Sequence, residues 1–121
     1  MAKKYFRDEP IPEIPQDEAI LKEGIVHTLT VISGNSRRTI FKYALTEKGV
    51  WMRNKRFLWI KPRASFLPYS DIASYKHSKH FNLDTLVFFL KNGKKPSNRI
   101  IFDDLASAEA ILARYITQMP K

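Results

Sequence analysis

The sequence holds no cysteine and only four glycines. Without a thiol there is no disulfide framework, no thiolate metal site and no cysteine nucleophile. No glycine-rich phosphate loop precedes a helical pattern, and no G-x-S-x-G nucleophile turn occurs. No apolar run approaches the ~18 residues that cross a bilayer as a helix. The opening Met1-Ala-Lys-Lys-Tyr-Phe-Arg-Asp-Glu-Pro10 has lysines with no apolar stretch behind them, unlike a signal peptide. These absences lead to the expectation of a cytoplasmic, non-enzymatic protein with no cofactor and no metal.

What is present is enough for one domain. Hydrophobic residues make up 44% of 121, which supplies a core and argues against general disorder. The charge is placed unevenly. Residues 1–23 hold four Lys/Arg and six Asp/Glu, whereas residues 24–121 hold 17 and six, a net of +11. A basic body under an acidic leader attracts polyanions: anionic lipid, nucleic acid or an acidic protein face. Charge for solubility alone is the competing account.

Residues 1–16 read as a separate arm. Pro10, Pro12 and Pro15 each hold the preceding residue out of the helical region, so the segment is extended, and Ile11 and Ile14 are placed to tack it onto the body. Residues 17–121 form the domain, and Asp17–Gly24 reads as one helical turn with Gly24 as its stop.

From Gly24 the apolar period becomes two. Ile25, His27 and Leu29 fall on one side of a strand, with Val26 and Thr28 on the other. Ser33–Ser36 reads as a hairpin loop. In the next strand Phe41, Tyr43 and Leu45 oppose Arg38, Ile40, Lys42 and Ala44. Thr46-Glu-Lys-Gly49 is a tight turn in which Gly49 is expected at positive φ. Val50–Arg53, Phe57–Lys61 and Ala64–Leu67 continue extended, with Pro68 restricting the last to a sheet edge. Ile72–Lys79 and Asp84–Lys91 are further strands. Asn92-Gly93 signals a hairpin before Arg99–Phe102. Apolar residues then recur at helical spacing from Leu105 through Ala108, Ile111, Leu112, Tyr115 and Ile116 to Met119, so a helix is expected over 105–119. Asp103 or Asp104 would cap it, and Ser107, Glu109, Arg114 and Gln118 would lie on its solvent face.

This order of signals predicts an α+β barrel of about seven antiparallel strands with one C-terminal amphipathic helix. Four pieces resemble the bacterial pleckstrin-homology-like domains, a family of uncharacterised proteins. They are Tyr43-Ala-Leu-Thr-Glu-Lys-Gly-Val50, Leu67-Pro-Tyr-Ser-Asp-Ile72, Leu86–Gly93 and Ile101-Phe-Asp-Asp104. The resemblance spans about residues 20–119. It implies two near-orthogonal sheets with the helix plugging one end, and implies no activity; a non-catalytic interaction module is the expectation drawn from the residues. Such folds host many functions, so function rests on the site.

Two basic groups are candidate anion or lipid sites. One is Arg37, Arg38 and Lys42, beside the first hairpin. The other is Arg53, Lys55, Arg56, Lys61 and Arg63, interleaved with Trp51 and Trp59. Trp51 and Trp59 fall at strand positions and read as core residues first. His77 and His80 form an H-x-x-H pair with Asp84 nearby, short of a zinc set and better read as solvated. His27 reads as a hydrogen-bonded core histidine. Asp71, Asp84, Asp103 and Asp104 offer no convincing acid–base pair. The leading expectation is protein association or self-association, through sheet edges or the arm. Peripheral binding to anionic membrane at its inner face, or to a phosphoinositide-like headgroup, comes second, and nucleic acid third.

Overall fold

The computed structural model describes residues 10–32, 35–54, 61–80, 82–91, 93, 96–97 and 99–118; of residues 30–32, 35–37, 80 and 118 it describes the backbone alone. The strands are β1 (Ile20–Ile32), β2 (Asn35–Thr46), β3 (Gly49–Asn54), β4 (Ala64–Pro68), β5 (Ile72–His80), β6 (Leu83–Leu90) and β7 (Arg99–Phe102). They are followed by helix α1 (Leu105–Leu112) and a two-residue strand β8 (Thr117–Gln118). The seven longer strands pair antiparallel in one curled half-barrel sheet, in the order β4-β3-β2-β1-β7-β6-β5, with β8 added in parallel to β5. The expectation divided the strands between two sheets. Hydrogen bonding runs through all of them, since β1 pairs with β2 along its whole length and with β7 at Val26–Leu29. The Phe57–Lys61 strand expected from the sequence lies almost wholly outside the described residues.

The alternation read along β1 and β2 holds for the described side chains. Val26, Tyr43, Leu45 and Val50 enter the core with Tyr75, Leu86, Phe88, Ile100 and Phe102 from the other half of the sheet. Burying such side chains is worth about 1.5–3 kcal/mol each before entropy is subtracted. The opposite face is covered as well: Ile25 and Leu29 are each 8% exposed, and Ala44 is fully buried.

The turn after Tyr43 and the Leu67–Ile72 segment meet. The Tyr69 backbone N–H donates to Lys48 O at 3.1 Å, and its hydroxyl donates to Thr46 O at 2.8 Å. Thr46 Oγ1 accepts from the Lys48 and Gly49 amides at 3.1 and 3.2 Å, which closes the turn. Gly49 is not at positive φ. Its necessity is a close approach: a Cβ there would lie 2.4 Å from Leu67 O and 2.8 Å from Pro68 Cα. Among the described residues positive φ falls at Asn82 (65°) and at Gly93 (69°), the latter in the predicted Asn-Gly turn.

Two boundaries differ from expectation. β1 starts at Ile20, so no helical turn spans Asp17–Gly24; Ile20 opposes Thr46 and Lys22 opposes Leu45, and ladder bonding to β2 outweighs local helix propensity. Helix α1 ends at Leu112 rather than 119. Arg114 and Tyr115 donate back three residues, to Ile111 O at 3.1 Å and Leu112 O at 3.0 Å, which tightens the chain so that Thr117–Gln118 can pair with Ser74–Tyr75. Ala108, Leu112 and Ile116 are nonetheless buried as the spacing predicted. Tyr115 is 41% exposed but stacks on Tyr69 at 4.4 Å.

Asp103 and Asp104 divide the work that either was expected to do. Asp104 caps α1, accepting the Ser107 amide at 3.3 Å, and pairs with Lys22 at 3.3 Å. The Ser107 bond and then Lys22 hold its carboxyl below the ordinary range. Asp103 instead clamps the sheet: it accepts the Ile25 amide at 2.9 Å and the Tyr43 hydroxyl at 3.2 Å.

Burial, then the charge of Asp103, pushes the Tyr43 phenol far up, and burial with Tyr115 and Glu18 does the same for Tyr69. A raised phenol keeps in the folded state a proton that the unfolded chain loses. The associated stability is therefore complete below about pH 10 and declines as pH rises beyond it, by about 1.4 kcal/mol per pH unit for each tyrosine. Urea melts at stepped alkaline pH should show this slope, made shallower in Tyr69→Phe; a flat profile would refute it.

Candidate functional site: the outer face under the N-terminal arm

Register places Ile25, Lys42, Arg53 and Ala64 in one row across β1 to β4, and Glu23, Ala44, Trp51 and Phe66 in the next. These rows lie on the outer face, away from the core cluster. Residues 10–19 run over them.

The arm docks by side chains. Its own backbone closes two turns, Ile14 N to Ile11 O at 3.2 Å and Glu18 N to Pro15 O at 3.1 Å. Ile11 is 5% exposed. Glu13 Oε1 stands 3.3 Å from Arg53 Nε. That contact is an ion pair rather than an aligned hydrogen bond, since Nε makes no hydrogen bond among the described residues. The Trp51 indole N–H donates to Glu18 Oε2 at 2.6 Å, and Glu18 is buried. A buried carboxylate needs such a donor, and a charge-assisted bond of this length is among the stronger kinds. Trp51 also packs on Phe66, ring centres 4.6 Å apart.

Of the basic residues singled out from sequence, the described ones divide between the open surface and the covered face. Arg38, Lys61 and Arg63 are exposed, and the Arg63 amide donates to Asn54 Oδ1. Lys42 is 3% exposed with Glu23 3.8 Å from its Nζ, so it is no surface ligand; it occupies a central strand position on a covered face. Arg53 is engaged by Glu13. Arg37 is described in its backbone alone, and Lys55, Arg56 and Trp59 lie outside the described residues. Trp51 is neither core nor bare platform: it is half-buried beneath the arm. Sequence reading missed Glu13 and Glu18, and the only signal for them was the acidic arm preceding a basic body.

The histidines also differ from expectation. His77 is not simply solvated. Its Nε2 is 3.2 Å from Asp84 Oδ1 and its Nδ1 is 3.0 Å from Glu109 Oε1. Glu109 also accepts the Tyr75 hydroxyl at 3.3 Å, so it faces β5 rather than solvent. Burial and then Glu109 raise the Tyr75 phenol. The His80 side chain is outside the described set. No cluster of metal-ligating side chains occurs among the described residues. Among the described residues the buried His27 Nδ1 finds no hydrogen-bond partner, where a hydrogen-bonded core histidine was expected. On the inner face a cavity of about 380 Å³ is bounded by apolar side chains including Phe41, Met52, Phe88 and Ile100. Among the described residues no helix is long and apolar enough to cross a membrane.

No family model, curated protein or solved structure matches this chain.

Proposed function

We propose that this domain is a non-catalytic interaction module of pleckstrin-homology-like fold that binds acidic, apolar-anchored polypeptide segments on the outer face of β1–β3. The fold reading draws support from the strand order: β1 joins a β4-β3-β2 half to a β7-β6-β5 half, with a helix after the last long strand. The functional reading rests on one observation. The chain's own residues 10–18 dock there through one buried isoleucine, one carboxylate on Arg53 and one on Trp51. That is a peptide-recognition pattern, with an apolar anchor for affinity and charged contacts for register.

The test vacates the face and refills it. In a Trp59→Phe background, Glu13→Lys with Glu18→Lys places like charge on Arg53 and removes the acceptor of Trp51. Trp51 emission should shift to the red. A synthetic peptide of residues 9–18 should then reverse the shift saturably, with affinity falling several-fold between low and physiological salt. A peptide with its carboxylates replaced by lysine should not act. No reversal at millimolar peptide refutes the reading.

A second reading, peripheral attachment to anionic membrane, is favoured by exposed Arg38 and Lys61 on a body of net charge +11. Sedimentation with anionic but not neutral vesicles at physiological salt is its expected outcome; equal recovery with both refutes it.

A further inference from the structure

The occupant of this face in solution follows from how the arm is attached; the inference rests on the docking face proposed above. We infer that residues 10–18 exchange between two copies of this chain, each arm seated on the β1–β3 face of its partner.

Three observations carry it. The arm is a self-contained unit, with its turn bonds internal and its grip on the body made by side chains from Ile11, Glu13 and Glu18. Among the described residues its backbone tie is confined to the junction, where Glu47 N donates to Ala19 O at 3.1 Å. An exchanged arm therefore makes the same contacts without breaking a ladder. The junction is also unusual. The register between β1 and β2 shifts at Ile20/Lys22, and Ile20 and Leu21 are 46% and 38% exposed. Two-fold exchange brings two such junctions together and covers these side chains. Finally, charge selects the partner. The leader carries net −2 and the body +11, so an acidic arm of one copy is drawn to the basic body of another that would otherwise repel it.

The experiment uses two full-length variants, Glu13→Arg and Arg53→Glu, with the double variant as control. Each single variant opposes like charges under its own arm. Mixed, the two restore opposite charges only across copies. The expected result is monomers for each variant alone and a 1:1 complex of twice 14.1 kDa in the mixture by sedimentation velocity, with Trp51 emission (Trp59→Phe background) returning to the wild-type position. Wild-type protein should shift toward dimer with rising concentration. If the double variant recovers Trp51 emission but the mixture stays monomeric, exchange is overturned and the docking face stands. If the single variants leave Trp51 emission unchanged, both fall.

Discussion

Asp103→Ala is expected to lower the stability of the domain by about 3 kcal/mol. The carboxylate satisfies the Ile25 amide and the hydroxyl of Tyr43, a side chain that is fully buried. Its removal strands two donors, each costing about 1–3 kcal/mol when left unpaired. For a domain of this size the melting temperature should fall by roughly 10 °C. Asp104→Ala, one residue along, removes an exposed cap and should cost clearly less. Asp103→Asn keeps an acceptor and should be intermediate. Gly24→Ala should behave like a clamp variant, since its Cβ would sit 2.5 Å from Asp103 Oδ2 and push the carboxylate aside. Thermal melts of the four variants check the order; equal losses from the two aspartates would refute the clamp.

Gly49→Ala is expected to be comparably severe, at about 3 kcal/mol. The atoms in the way are backbone, Leu67 O at 2.4 Å and Pro68 Cα at 2.8 Å, so no rotamer change relieves the clash. Overpacking of this kind costs about 1–3 kcal/mol and more when the backbone must move. The damage should spread to the Tyr69 bonds with Thr46 and Lys48, which depend on the same approach. Gly93→Ala is the informative contrast. Its surroundings are open and only its φ of 69° opposes a side chain, which costs about 1–2 kcal/mol. Urea melts should separate the two glycines; a Gly49→Ala variant no less stable than Gly93→Ala would sink the close-approach account.

The two glycines mark where sequence reasoning works. Asn-Gly is a turn signal with a local cause, and Gly93 does take positive φ. Gly49 also looked like a turn glycine, but its reason is a strand that arrives about 20 residues later. The aspartates repeat the lesson: two adjacent carboxylates ahead of a helix are equivalent as caps until the sheet brings Ile25 and Tyr43 up to one of them.

The candidate site was only partly legible. Arg53, Trp51 and the acidic, proline-rich arm were visible as separate features. Their conjunction was not, because Glu18 and Trp51 are 33 residues apart and no local pattern links them. Lys42 misled for the same reason: a lysine on an alternating strand reads as solvent-facing unless something covers that face.

By itself the sequence determined the elements of this protein: the period-two strands and their faces, the positive φ at Gly93, the buried stripe of the terminal helix and the opposite charges of arm and body. Those are set by neighbours a few residues apart, through sterics and apolar spacing. The tertiary structure alone decided that the arm folds back onto Trp51 and Arg53, that Asp103 clamps while Asp104 caps, that His77 lies between two carboxylates, and that the helix stops at Leu112 so that β8 can join β5. Each depends on groups distant in sequence meeting at hydrogen-bond range, where desolvation and charge rather than local propensity set the outcome.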